Sequence, residues 1–129
     1  MDAETCNQRA WEYLRAGESQ RALEHALRAH GLKRNNLDFL NTLGVAYAEA
    51  GQLDLAEATF RKLLKRRPGD AGVLVNLAKA LEKRERLEEA ARHYARAAAI
   101  APEFPGLQAA RAALCLHRGD AAGAKALLE

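Results

Sequence analysis

Apolar residues along the chain recur at the three- and four-residue spacing of amphipathic helices, and no stretch alternates as a half-buried strand would. One helical run covers 37–50 and is followed by Gly51, and the next covers 53–67 and is followed by Pro68. Glycine ends a helix readily in the left-handed conformation, whereas proline cannot continue one. The next residue with a capping side chain, Asp70, is placed to begin a new helix. The pattern therefore predicts helix pairs joined by short turns.

The same helix pair recurs every 34 residues. Four columns of residues keep this register: Gly17, Gly51 and Gly119; Ala22, Ala56, Ala90 and Ala124; Ala10, Gly44, Ala78 and Ala112; and Pro68 with Pro102. Glu85 occupies the position at which the 34-residue spacing predicts a further glycine. A repeated helix pair stabilises itself by stacking on its neighbours, with small residues where two helices approach closely. We expect one domain, 1–129, with repeats at about 3–36, 37–70 and 71–104 and a partial fourth repeat at 105–129.

Within each repeat we call the two helices the first and the second helix. Besides the pair at 37–50 and 53–67, the predicted helices are 3–16 and 20–30 in the first repeat, 71–84 and 87–100 in the third, and 105–118 and 121 to the end in the fourth.

The second repeat resembles the tetratricopeptide repeat through Leu43, Gly44, Tyr47, Gly51, Ala56, Phe60 and Pro68. The resemblance implies an all-α fold, a right-handed α-solenoid whose first helices line a concave groove and whose second helices form the convex back. It also implies which residues line a partner-binding groove: Asn7, Gln8, Trp11, Asn41, Thr42, Val45, Asn76, Lys79 and Lys83.

Trp11 is the single tryptophan of the chain. Tryptophan is enriched among the residues that dominate binding energy at protein interfaces, so one interpretation is an exposed anchor in the groove. The other interpretation is that Trp11 packs against the N-terminal segment or the next helix.

Composition and charge narrow the classes of partner. Hydrophobic residues make up 49% of the chain and charged residues 29%, which fits a folded helical protein. The net charge is +3, and the basic cluster at 61–67 suits the end of a helix better than a nucleic-acid site, since no aromatic residues are interleaved with it. We expect no nucleic-acid partner.

No apolar run approaches the roughly 20 residues that span a bilayer, and the polar N-terminus does not resemble a secretory signal. The two cysteines, Cys6 and Cys115, show no metal-ligand spacing. We expect a cytoplasmic protein with no membrane contact, metal or cofactor, and the Ala- and Arg-rich composition suggests a bacterial source.

No catalytic constellation is recognisable, because candidate nucleophiles lack a base and no glycine-rich phosphate loop is present. The sequence favours a non-enzymatic scaffold or adaptor that binds a protein or peptide. Two alternatives remain open: the N-terminal recruiting arm of a larger enzyme, such as a glycosyltransferase or sulfotransferase, and a bacterial secretion or assembly chaperone.

The last predicted helix is apolar at Ala124, Ala126, Leu127 and Leu128. Helical-repeat arrays usually end in a polar capping helix. We therefore expect either that the chain is a fragment of a longer protein or that another chain covers this face, for which homodimerisation is one hypothesis.

Overall fold

The computed structural model describes residues 1–129 and contains eight α-helices and no strands. The helices are α1 (Ala3–Arg15), α2 (Ser19–Leu32), α3 (Leu37–Glu49), α4 (Leu53–Arg66), α5 (Ala71–Lys83), α6 (Leu87–Ile100), α7 (Leu107–His117) and α8 (Ala121–Leu128). They form four helix pairs, and the predicted all-α class is confirmed. The chain divides into two compact units, an N-terminal unit Met1–Arg66 with α1–α4 and a C-terminal unit Arg67–Glu129 with α5–α8.

Side-chain oxygen atoms cap the N-termini of four helices. In the N-terminal unit, Asp2 accepts a hydrogen bond from the Thr5 amide at 2.7 Å, and Asn36 accepts one from the Phe39 amide at 3.0 Å. In the C-terminal unit, Asp70 accepts from Val73 at 3.2 Å, as predicted. Asp120 caps α8 in the same way, accepting from the Gly123 amide at 2.8 Å. Each cap satisfies an amide that has no partner inside its helix.

The turn within each helix pair contains one residue in the left-handed conformation. Gly17, Gly51 and Gly119 have φ values of 77°, 81° and 80°, and Glu85 takes the same place with a φ of 62°. The residue after each of them donates a backbone hydrogen bond to a carbonyl five positions earlier in the sequence, at 2.7–2.9 Å. This is the bond of the Schellman motif. Because the bond involves only backbone atoms, the turn forms at Glu85 as it does at the glycines.

Two predicted helix boundaries were wrong by two residues. The second helix of the first repeat ends at Leu32 and not at residue 30. The first helix of the fourth repeat begins at Leu107 and not at residue 105. Gly106 precedes it with a φ of 77°, and a residue in that conformation cannot belong to a right-handed helix.

In the N-terminal unit the small-residue column allows α3 and α4 to approach closely. A methyl group at Gly44 would lie 2.5 Å from Cε1 of Phe60, whose ring is almost completely buried. Ala10, Ala22 and Ala56 are likewise fully buried. The absence of a side chain at position 44 is therefore what makes room for the aromatic ring.

In the C-terminal unit the core is built from Leu74, Leu77, Leu81 and Tyr94, all of them fully or almost fully buried. Burial raises the pKa of the Tyr94 phenol, and the nearby Glu82 carboxylate, to which the phenol hydrogen-bonds, raises it further. The buried hydroxyl thus has a polar partner, as a phenol removed from water requires.

Gly44→Ala should destabilise the protein by about 1–3 kcal/mol, because the added methyl group overlaps the Phe60 ring. Gly31→Ala is the matched control: Gly31 lies in α2 with no atom near its would-be methyl group, so alanine there should be neutral or stabilising by up to about 1 kcal/mol. Chemical denaturation measures both, and equal effects at the two positions would contradict the packing argument.

Glu85→Gly should stabilise the protein by about 1 kcal/mol relative to Glu85→Ala, because only the glycine relieves the left-handed backbone. Both variants remove the exposed Glu85 carboxylate, which lies 3.1 Å from Nε2 of His117, so their difference isolates the backbone contribution. The comparison requires two thermal melts, and equal melting temperatures would show that the left-handed conformation carries no strain.

Candidate partner-binding site

In the N-terminal unit the two first helices, α1 and α3, contact each other. The predicted groove residues of this unit fall at helical spacing, with Asn7 and Trp11 one turn apart on α1 and Asn41 and Val45 one turn apart on α3. These residues are half-buried, and Gln8 beside them is exposed. We call this surface, defined by Asn7, Gln8, Trp11, Asn41 and Val45, the α1–α3 face.

The Trp11 indole is held against α3 by a hydrogen bond. Its Nε1 donates to Oγ1 of Thr42 at 3.0 Å, and the Thr42 hydroxyl donates in turn to the Asp38 carbonyl at 3.1 Å. Thr42 is only 2% exposed, so it lies beneath the α1–α3 face and positions Trp11. Trp11 therefore contacts α3, and the residue as a whole is only partly buried.

Asn7 has a polar atom without a partner. Its Oδ1 is buried and accepts no hydrogen bond. Such atoms are rare in folded proteins, because a buried acceptor that has lost water and gained no donor is unfavourable. Gln8, one residue further, is engaged only at its exposed end, where Nε2 lies 3.5 Å from Oε1 of Glu12.

The remaining predicted groove residues belong to the C-terminal unit. Asn76, Lys79 and Lys83 share one side of α5, at spacings of three and four residues. Asn76 is half-buried and both lysines are exposed. This row places an amide beside two positive charges.

A pocket lies on the N-terminal unit at a place that the sequence did not indicate. It is formed by α2, α3 and α4 and has a volume of about 270 Å³. We call it the second-helix pocket; its lining residues are Leu27, His30, Leu40, Leu43, Tyr47, Leu55, Ala58, Thr59 and Lys62. Leu27 and Leu55, which lie on second helices, are each 43% exposed. These two large apolar residues are the only feature of the sequence that could have pointed to the pocket.

The basic cluster at 61–67 is partly neutralised by neighbouring carboxylates. Arg61 Nε donates to Oε2 of Glu57 at 2.9 Å, and Arg67 lies 4.0 Å from Asp70. Lys62, Lys65 and Arg66 are exposed near the C-terminus of α4, where positive charge is favourable.

On α8, Ala124 is buried within the C-terminal unit and Leu128 is 66% exposed. No group of three or more His, Cys, Asp or Glu side chains is arranged to hold a metal ion.

None of the helices combines the length and the apolar character needed to cross a membrane.

Comparison with known proteins gives a family and a set of similar folds. The family model described as Tetratricopeptide repeat matches residues 7–71 and 41–106. A solved structure of MamA from Desulfovibrio magneticus RS-1, beginning at its residue 41, has a TM-score of 0.83 at 20% identity, with 98% of this chain and 72% of that chain covered. MamA from MSR-1 has a TM-score of 0.75 at 22% identity, with 98% and 77% covered. No curated protein matches the sequence. At these identities the MamA structures share the fold of this chain.

The hydrogen bond between Trp11 and Thr42 should appear as a coupling energy in a double-mutant cycle. Thr42→Val removes the acceptor and keeps the shape of the side chain, and Trp11→Phe removes the donor and keeps an aromatic ring. We expect a coupling of about 0.5–1.5 kcal/mol in the free energy of unfolding. Additive effects of the two substitutions would mean that the bond contributes nothing to the placement of Trp11.

Proposed function

We propose, since the chain belongs to the tetratricopeptide repeat family of protein-interaction scaffolds, that it binds a peptide or partner protein on the α1–α3 face. In this role the chain holds its partner without catalysing a reaction and needs no cofactor.

The observation that carries the proposal is Trp11, whose indole is held by a hydrogen bond and which is only half-buried. Binding costs free energy because side chains at the interface lose conformational freedom. The cost is smaller for a side chain that is already held in place before the partner binds. The bond to Thr42 and the packing against α3 hold Trp11 in this way. Aromatic residues in such positions are the ones most enriched among interface hot spots.

The surroundings of Trp11 suit a polypeptide. Asn7, Gln8 and Asn41 bring amide groups that can bond a peptide backbone, and Val45 adds an apolar contact beside them. In the C-terminal unit, Asn76, Lys79 and Lys83 offer a further contact row, which favours an acidic stretch of the partner.

Trp11→Ala should weaken partner binding by about 2 kcal/mol or more, roughly a thirtyfold rise in Kd, because it removes the aromatic anchor. The probe is a peptide selected from a displayed random library against the wild-type protein, and its Kd is measured by calorimetry. Arg28→Ala on α2 is the control, since Arg28 is exposed outside the α1–α3 face, and it should leave the Kd unchanged.

Because Trp11 is the single tryptophan, its emission also reports whether the peptide covers it. We expect a shift to shorter wavelength on binding as the ring loses water. Unchanged affinity of Trp11→Ala together with a large fall in melting temperature would assign the residue to packing alone and overturn the proposal.

A further inference from the structure

The second-helix pocket combines an apolar interior with an apolar wall on each side. Leu40 and Leu43 of α3 lie almost completely buried at its base. Leu27 on α2 and Leu55 on α4 are much more exposed. Exposed large apolar side chains that converge on one concavity are typical of a docking site, whereas single ones scattered over a surface are not.

One positively charged side chain, Lys62, lies on the lining of the pocket, close to the His30 imidazole. Lys62 and His30 both border the pocket, and none of its nine lining residues is acidic. Burial lowers the pKa of the His30 imidazole, and the positive charges of Lys62 and Arg34 lower it further. Nδ1 of His30 is buried and has no hydrogen-bond partner. The lining thus carries the positive charge of Lys62 and no carboxylate to balance it.

The volume of the second-helix pocket matches that of a side chain from a partner protein. A dry apolar cavity of about 150 Å³ is enough for benzene, whereas pockets for small-molecule ligands usually run from about 300 to 1,000 Å³. At about 270 Å³ the second-helix pocket can take one aromatic side chain or a pair of aliphatic ones. Leu27 and Leu55 border the pocket and are exposed, so the rest of the occupant would lie on the surface of α2 and α4.

We propose that the second-helix pocket is a second docking site, which binds a bulky apolar side chain of a partner protein segment that carries an Asp or Glu beside it. The apolar side chain enters between Leu27 and Leu55, and the carboxylate pairs with Lys62 near His30. Charge complementarity favours this occupant, because Lys62 attracts a carboxylate and repels a cationic segment, and a purely apolar segment gains nothing from it.

This site goes beyond the function proposed for the α1–α3 face and does not depend on it. Its lining includes none of Asn7, Gln8, Trp11, Asn41 or Val45. The scaffold can therefore hold two partner segments, one on first helices and one between second helices.

The test is a selection of displayed random peptides on the Trp11→Ala protein, which disables the anchor of the α1–α3 face. Peptides that bind should be enriched in a bulky apolar residue next to Asp or Glu. Lys62→Glu should weaken them about tenfold, because it sets a like charge against the carboxylate. Lys65→Glu is the matched control: it makes the same charge change on α4 but does not border the pocket, so it should weaken these peptides clearly less than Lys62→Glu does.

A second variant, Ala58→Trp, fills the pocket from an exposed helical position that can accept a larger side chain without disturbing the core. It should abolish binding of these peptides while the circular dichroism spectrum stays unchanged. A peptide with Lys in place of its acidic residue should prefer Lys62→Glu over the wild-type side chain. Failure to select any peptide sensitive to Ala58→Trp, or equal effects of Lys62→Glu and Lys65→Glu, would overturn the proposal and leave the α1–α3 face untouched.

Discussion

The structure depends on a single residue in the left-handed conformation at the turn of each helix pair. At Gly17, Gly51, Glu85 and Gly119 the chain reverses direction, and the next amide bonds to a carbonyl of the preceding helix. The reversal brings the second helix back along the first at the one place where both helices carry small residues. Close packing of the pair follows, and with it the burial of rings such as Phe60 and Tyr94.

Both candidate binding surfaces depend on the alternation of first and second helices along the chain. First helices of the N-terminal unit meet side by side and expose the α1–α3 face, where Trp11 of one helix is fixed by Thr42 of the other. Second helices stand apart enough to leave the second-helix pocket above α3. A tetratricopeptide array thus offers two chemically different surfaces on the same two repeats: one of amides around an indole, and one apolar with a positive edge.

The two surfaces also differ in how firmly their key groups are held. Trp11 is positioned by a hydrogen bond and by packing, so the orientation of its indole is set before a partner binds. Lys62 is an exposed side chain at the edge of the pocket. A long exposed side chain contributes mainly to selectivity and association rate, whereas a fixed aromatic ring contributes affinity. A partner that uses both sites would gain further through the high effective concentration of its second segment.

The sequence by itself determined the helix pairs, their period and their turns, because these follow from local spacing, capping side chains and backbone conformation. It also placed the small residue of each close approach, although the ring that fills the space at Gly44 is on the other helix of the pair. The tertiary structure decided the features that depend on contacts between helices. Thr42 has the helical position of a surface residue, yet it is buried because the Trp11 indole of α1 covers it. The second-helix pocket takes its lining from three helices, so its volume and charge depend on side chains that are distant in the sequence and meet only after packing.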